Sequence, residues 1–168
     1  MAHSKPQTTE QYFRTHLIMF YAFLVSQIMF GIVAYLVVNI NDEVIVDQEL
    51  SDVFIYIVPL IIVADFVAGN FLYKQLLKSA KAKSSMVEKM NTYTTITILR
   101  LAFAEGATLF TTIVYILTSN IIFAGCAGIL IVVFNAFKPS KEKAIMDLEL
   151  KHGVFDDPHD VIAETTLS

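Results

Sequence analysis

Four long apolar stretches, separated by short polar segments, dominate the chain. The first runs from Leu17 to Ile40 and carries no Asp, Glu, Lys or Arg. The second, Val53 to Tyr73, carries Asp65; the third, Thr94 to Thr118, carries Arg100 and Glu105; the fourth, Ile121 to Phe137, carries none. Each is close to the ~20 residues that cross a hydrocarbon core as a helix, the fourth at the short end of the range. A helix satisfies its backbone polar groups within the segment. Barrel strands would show ~10-residue stretches of strict alternation, and the sequence has none. The pattern therefore predicts an all-α, polytopic membrane protein. Its four transmembrane helices, over 17–40, 53–73, 94–118 and 121–137, form an antiparallel bundle within a domain of residues 1–138.

Residues 139–168 are expected on the cytoplasmic side as a short amphipathic helix and an acidic tail. Ser140 follows Pro139 and can cap a helix through Leu150, with Gly153 as its stop. Ala144, Ile145 and Leu148 share one face, which suits the inner membrane surface or a partner. His152, Asp156, Asp157, His159 and Asp160 follow. No metal site is expected there, because such sites need fixed geometry and outer-shell support.

Lys5, Arg14 and His16 precede the first apolar run as in a signal peptide. The run is longer than the ~7–15 residues of a signal h-region, and no small-x-small cleavage site follows it. It reads as an uncleaved first helix.

Composition agrees with this class. The chain of 168 residues is 55% hydrophobic and 17% charged, against about 45–50% and about 25% in soluble domains. That excludes an ordinary soluble enzyme and a disordered chain. A single cysteine, Cys126, excludes a disulfide scaffold, and it reads as a small packing residue.

Charge sets the orientation. Eleven of the twelve basic residues lie before helix one, between helices two and three, or after helix four. The twelfth is Arg100. The loop Asn41–Asp52 holds Asp42, Glu43, Asp47, Glu49 and Asp52 and no basic residue. By the positive-inside rule both termini are cytoplasmic. The net charge of −4 gives no basic face for nucleic acid, so the expected partners are the lipid bilayer and either further copies of the chain or a larger membrane complex. The inner lysines suit anionic lipid.

In lipid, helices associate through small residues that admit close approach. Helix two has Ala64-x-x-x-Ala68 followed by Gly69, helix three Ala102-x-x-x-Gly106, and helix four Ala124-x-x-x-Gly128. These predict the tight contacts, with helix one covering them. Pro59 removes one backbone donor from helix two and predicts a bend there.

Ionisable groups in hydrocarbon cost at least ~2.5–3.5 kcal/mol and face protein or water. From the rise per residue, Arg100 lies about 8 Å, Asp65 about 12 Å and Glu105 about 15 Å from the inner end. Arg100 and Glu105 point about 140° apart. Asp65 is expected either to pair with Arg100 or to leave Arg100 snorkelling to the interface. Glu105 is then left with Thr108 and Thr112 on its own face, and with Ser26 and Gln27 of helix one at similar depth. Two roles follow for Glu105. One is a reversible proton or cation site, since desolvation favours a protonated carboxyl. The other is a hydrogen-bonded link between helices.

The stretch Ala102-Phe103-Ala104-Glu105-Gly106-Ala107-Thr108-Leu109-Phe110 resembles the carboxylate-bearing helix of rotary ATPase proteolipid (c-type) subunits. The resemblance covers one helix of four and implies a mid-membrane carboxylate that carries a proton or sodium ion. The repeated glycines of that family's partner helix are missing, and the preceding loop reads Lys81-Ala82-Lys83-Ser84-Ser85, so a rotor ring is not implied. More broadly, the layout is similar to small uncharacterised four-helix membrane proteins of Bacteroidetes-type bacteria. That likeness rests on Arg100-x-Ala102-x-x-Glu105-Gly106, Thr118-Ser119-Asn120 and Lys138-Pro139-Ser140-Lys141-Glu142-Lys143. It implies a bacterial cytoplasmic membrane.

No catalytic or cofactor motif occurs, so neither enzymatic activity nor a cofactor is expected. The favoured expectation is a structural or accessory membrane subunit with an Asp65/Arg100/Glu105 polar cluster. The alternative is a small proton- or cation-linked transport component that uses Glu105.

Overall fold

The computed structural model describes residues 8–40, 46–151, 153–156 and 162. Lys5, Asp42, Glu43, His152, Asp157, His159, Asp160 and most of the acidic tail lie outside the described residues. The described chain is all-helical: α1 Thr9–Ile40, α2 Gln48–Lys81, α3 Met86–Thr118, α4 Ile121–Phe134, a 3₁₀ turn Asn135–Phe137, and α5 Lys141–Leu148. By length and composition α1, α2 and α3 are long and apolar enough to cross a membrane. Much of their bulk points outward, as at Ile18, Tyr56, Leu60, Val67 and Phe71. An apolar exterior of this kind belongs in lipid.

The fourth stretch departs from expectation. Its α-helix stops at Phe134, and only the bent pair Ile121–Phe137 with Lys141–Leu148, turned by 71°, would make a fourth span. The cause is local. Lys138 precedes Pro139, and a residue before proline is pushed out of the α region. The last turn tightens to 3₁₀, and Lys143 Nζ donates to the freed carbonyls of Ala136 (2.7 Å) and Lys138 (3.0 Å).

Several of the other boundaries have visible caps. Asp47 accepts from Leu50 N at 2.9 Å. Ser119, left-handed at φ 54°, closes α3. Asn120 then starts α4: its Oδ1 accepts from Ile122 N (3.0 Å) and its Nδ2 donates to buried Ser51 Oγ of α2 (2.7 Å). Asn120→Ala removes a cap and an interhelical bond together. The expected loss is about 1–2 kcal/mol, read as a lower unfolding midpoint in detergent. α2 continues through Pro59 as one helix.

α3 is the most buried of the long helices and is packed by α2, α4 and α1. α2 meets α3 through Phe54 with Phe110, Gly69 with Phe103, and Tyr73 with Arg100. α1 meets α3 through Tyr12 with Met90, Ser26 with Glu105, and Asn39 with Tyr115. α1 is thus an integral packing partner, with Phe20 and Ala34 fully buried. Phe20 stacks on Phe134 of α4 at 5.3 Å and shares a core with Leu101.

The small-residue motifs divide. A side chain on Gly69 would sit 3.3 Å from Phe103 Cβ, so this contact is close. Ala68 is half-buried and Ala124 packs against the Val58, Val114 and Phe123 core. Ala64, Ala102, Gly106 and Gly128 are exposed, and nothing lies within 4 Å of a Cβ built on Gly128.

Both α1 and α3 start eight residues before their apolar stretches. Those extensions build a second core with α5: Tyr12, Phe13, Ala80, Met86, Met90 and Tyr93 pack with Ala144, Leu148, Phe155 and Ile162. The apolar face of α5 is therefore spent on the chain itself rather than on a membrane surface or partner. α5 ends at Leu148 because Glu149 turns left-handed (φ 54°) and its N–H bonds back into the last turn. Gly153 (φ 93°) serves the next turn.

Candidate functional site

Arg100, Asp65 and Glu105 all lie half-buried on α2 and α3. Asp65 and Arg100 do not pair. Among the described residues the ion pairs are Lys81–Glu149 (2.7 Å) and Lys83–Glu88 (3.9 Å). Register explains it: Asp65 Oδ2 lies 3.7 Å from the Cβ position of Gly106. Gly106 is six residues beyond Arg100, or about 9 Å along the helix. The α2 residue level with Arg100 is Tyr73. Its ring lies 4.6 Å from the guanidinium carbon, and Phe137 lies 4.7 Å from it. Two aromatic rings thus hold the cation, an arrangement worth about 0.5–2 kcal/mol per face.

Glu105 points to α1. Ser26 Oγ lies 2.5 Å from Glu105 Oε1 and 2.9 Å from Phe23 O of its own helix, so its one proton is shared between a link to α3 and a local bond. The threonines of the same region are spent on their own helix. Thr108 donates to Ala104 O, Thr111 to Ala107 O and Thr112 to Thr108 O, at 2.8–3.2 Å. Such i−4 bonds satisfy a hydroxyl without a tertiary partner. Gln27 is 1% exposed, and neither its Nε2 nor its Oε1 has a partner among the described residues.

One cleft stands out, with a volume of about 400 Å³. α2 supplies Asp65, Phe66, Val67, Gly69 and Asn70 to its wall. α3 supplies Arg100, Phe103 and Ala104, and Phe137 of the 3₁₀ turn closes one side. The volume falls within the ~300–1,000 Å³ of small-molecule sites. The cleft contains Asp65 and Arg100 but not Glu105, so the three charges fall into two separate environments.

Next to the cleft, towards the basic end of the bundle, Tyr73, Tyr93, Arg100, Phe137 and Lys143 line a smaller cavity. Tyr93 OH donates to Asp147 Oδ2 at 3.0 Å. On the α1 side Tyr12 OH donates to Met90 O (2.8 Å) and lies 2.9 Å from Thr94 Oγ. His16 Nδ1 donates to Tyr12 O (2.8 Å), and its Nε2 lies 3.1 Å from Thr94 Oγ. Sequence reasoning missed this layer because it treated residues 9–16 and 86–93 as flanks. The signal was there: aromatic residues with polar tips cluster just outside the apolar stretches, where one end is dry and the other wet.

Comparison of the chain with family models, with curated proteins and with solved structures gives no match.

Proposed function

We infer that the protein is a structural or accessory subunit of a bacterial cytoplasmic membrane, without enzymatic activity of its own. It crosses the bilayer four times as an antiparallel bundle, with both termini in the cytoplasm, and works as a homo-oligomer or within a larger membrane complex. The lysine distribution supports this orientation. The order of contacts between α2 and α3, in which residue numbers rise on one helix as they fall on the other, supports antiparallel neighbours.

The observation that carries the subunit reading is the Ser26–Glu105 bond. It ties α1 to α3, so the carboxyl acts as a link between helices. Interhelical bonds in membranes are worth about 0.6 kcal/mol and up to about 1.7. A second reading, a proton- or cation-linked transport component using Glu105, is favoured by Gln27. Its buried amide lies beside Ser26 in sequence and has both atoms unspent, and a water or hydrated cation would satisfy it.

A hydrophobic carbodiimide, applied across pH to the protein in membranes, separates the two. The link predicts no labelling at Glu105 at any pH, and a Glu105→Gln chain that folds and keeps its partners. Glu105→Leu should lower stability by about 0.6–1.7 kcal/mol. Labelling at Glu105 that falls as pH rises, or that sodium blocks, rejects the link in favour of the ion site.

A further inference from the structure

Arg100 is a fixed cation with unspent donors. The rings of Tyr73 and Phe137 lie 4.6 and 4.7 Å from its guanidinium carbon. The five N–H donors lie in the guanidinium plane and project from its edge. Among the described residues no hydrogen bond or carboxylate reaches them.

Arg100 lies in the wall of the 400 Å³ cleft, and the cleft is asymmetric. At its basic end Lys143 joins Arg100 around the adjoining small cavity. Burial first, and the charge of Arg100 second, lower the pKa of Lys143, while the Asp147 carboxylate offsets them in part. The nearby carboxylate Asp147 is held by Tyr93. Further along, the wall is apolar, with Phe66, Val67 and Phe103. Asp65 lies about 9 Å beyond Arg100. That is outside the reach of an anion seated on the guanidinium, and Asp65 disfavours a second anion deeper in the cleft.

A cation at one end of an apolar cleft is complementary to an amphiphile with an anionic head. Arg100 lies just above the core that Tyr93 and Met90 share with α5, at the border between the apolar span and the polar end. That is where a lipid phosphate meets its acyl chains. We propose that this cleft binds a phospholipid of net negative charge. Its phosphate sits on the N–H edge of Arg100, and one acyl chain runs along Phe66 and Phe103. A guanidinium edge matches two phosphate oxygens at once.

The test uses the full chain, purified in detergent and offered phosphatidylglycerol, phosphatidylcholine or inorganic phosphate. Bound lipid is counted by native mass spectrometry, and the unfolding midpoint is followed in parallel. The expected result is about a tenfold preference (~1.4 kcal/mol) for phosphatidylglycerol over phosphatidylcholine, because both offer a phosphate but the choline cation of the second is repelled by Arg100 and Lys143, with a raised midpoint. Arg100→Gln should abolish the preference, Arg100→Lys should keep part of it, and the exposed-lysine variant Lys74→Gln should leave it intact. Equal retention of both lipids by the unaltered chain overturns the proposal without recourse to any variant. So does a preference that Arg100→Gln and Arg100→Lys both retain. A midpoint raised as much by inorganic phosphate as by phosphatidylglycerol would identify the ligand as free phosphate and overturn the lipid.

Discussion

Gly69→Leu is expected to unseat α2 from α3 and to cost about 1–3 kcal/mol, the usual range for overpacking. Gly31→Leu and Gly128→Leu should stay within about 0.5 kcal/mol, since the space beside each is open. The difference follows from the surroundings of each backbone. A Cβ on Gly69 already comes within 3.3 Å of Phe103 Cβ, an atom fixed to the α3 backbone that has no flexible end to yield. Around Gly31 and Gly128 nothing lies within 4 Å. Loss at Gly69 should spread beyond the helix contact, because Gly69 and Phe103 both wall the cleft that Arg100 enters. Denaturation midpoints of the three variants in one detergent check this. Equal midpoints would show that the α2–α3 seam does not depend on close approach at Gly69.

This glycine also marks how far the sequence could be read. Small-x-x-x-small motifs, with the small residue that follows the first of them, singled out Gly69, Gly106 and Gly128 alike, because such patterns record small size and not what stands opposite. Only the fold distinguishes Gly69, against Phe103, from Gly106 and Gly128, which are exposed. The apolar stretches were legible because lipid requires them, and α1, α2 and α3 contain the expected spans. The fourth was legible as a helical stretch ending at Phe137, but hydropathy carries no trace of its last turn tightening to 3₁₀ ahead of Lys138-Pro139. The intramembrane charges were visible as exceptions to the pattern, and Ser26 was rightly placed beside Glu105. The partner of Arg100 was not legible. Depth counted from the ends of apolar stretches put Asp65 near it, whereas the true register puts Tyr73 there. A register error of about one turn shifts a side chain by ~5 Å, enough to replace an ion pair with a pair of aromatic rings.

The largest effect outside the membrane is expected at Leu148. Leu148→Asp should release α5 from the bundle while leaving α1, α2 and α3 helical. Leu148 is 2% exposed and Ala144 is fully buried; both pack into the core formed by Tyr12, Ala80, Met86 and Met90. Truncating such a leucine costs about 2–5 kcal/mol. A carboxylate there adds the penalty of an unpaired buried charge, which the chain escapes by undocking the helix. Trypsin reports the release. In the docked state Lys143 is held by the carbonyls of Ala136 and Lys138, and Lys141 by that of Phe155. Cleavage at either then follows the open fraction of α5, so the rate should rise by roughly thirtyfold or more. The comparison that decides is between detergent and vesicles. Because α5 is seated on α2 and α3, the unaltered chain should resist cleavage equally in both. A chain protected only in vesicles would instead have its α5 held by the lipid surface, and the packing at Leu148 would not be what secures it.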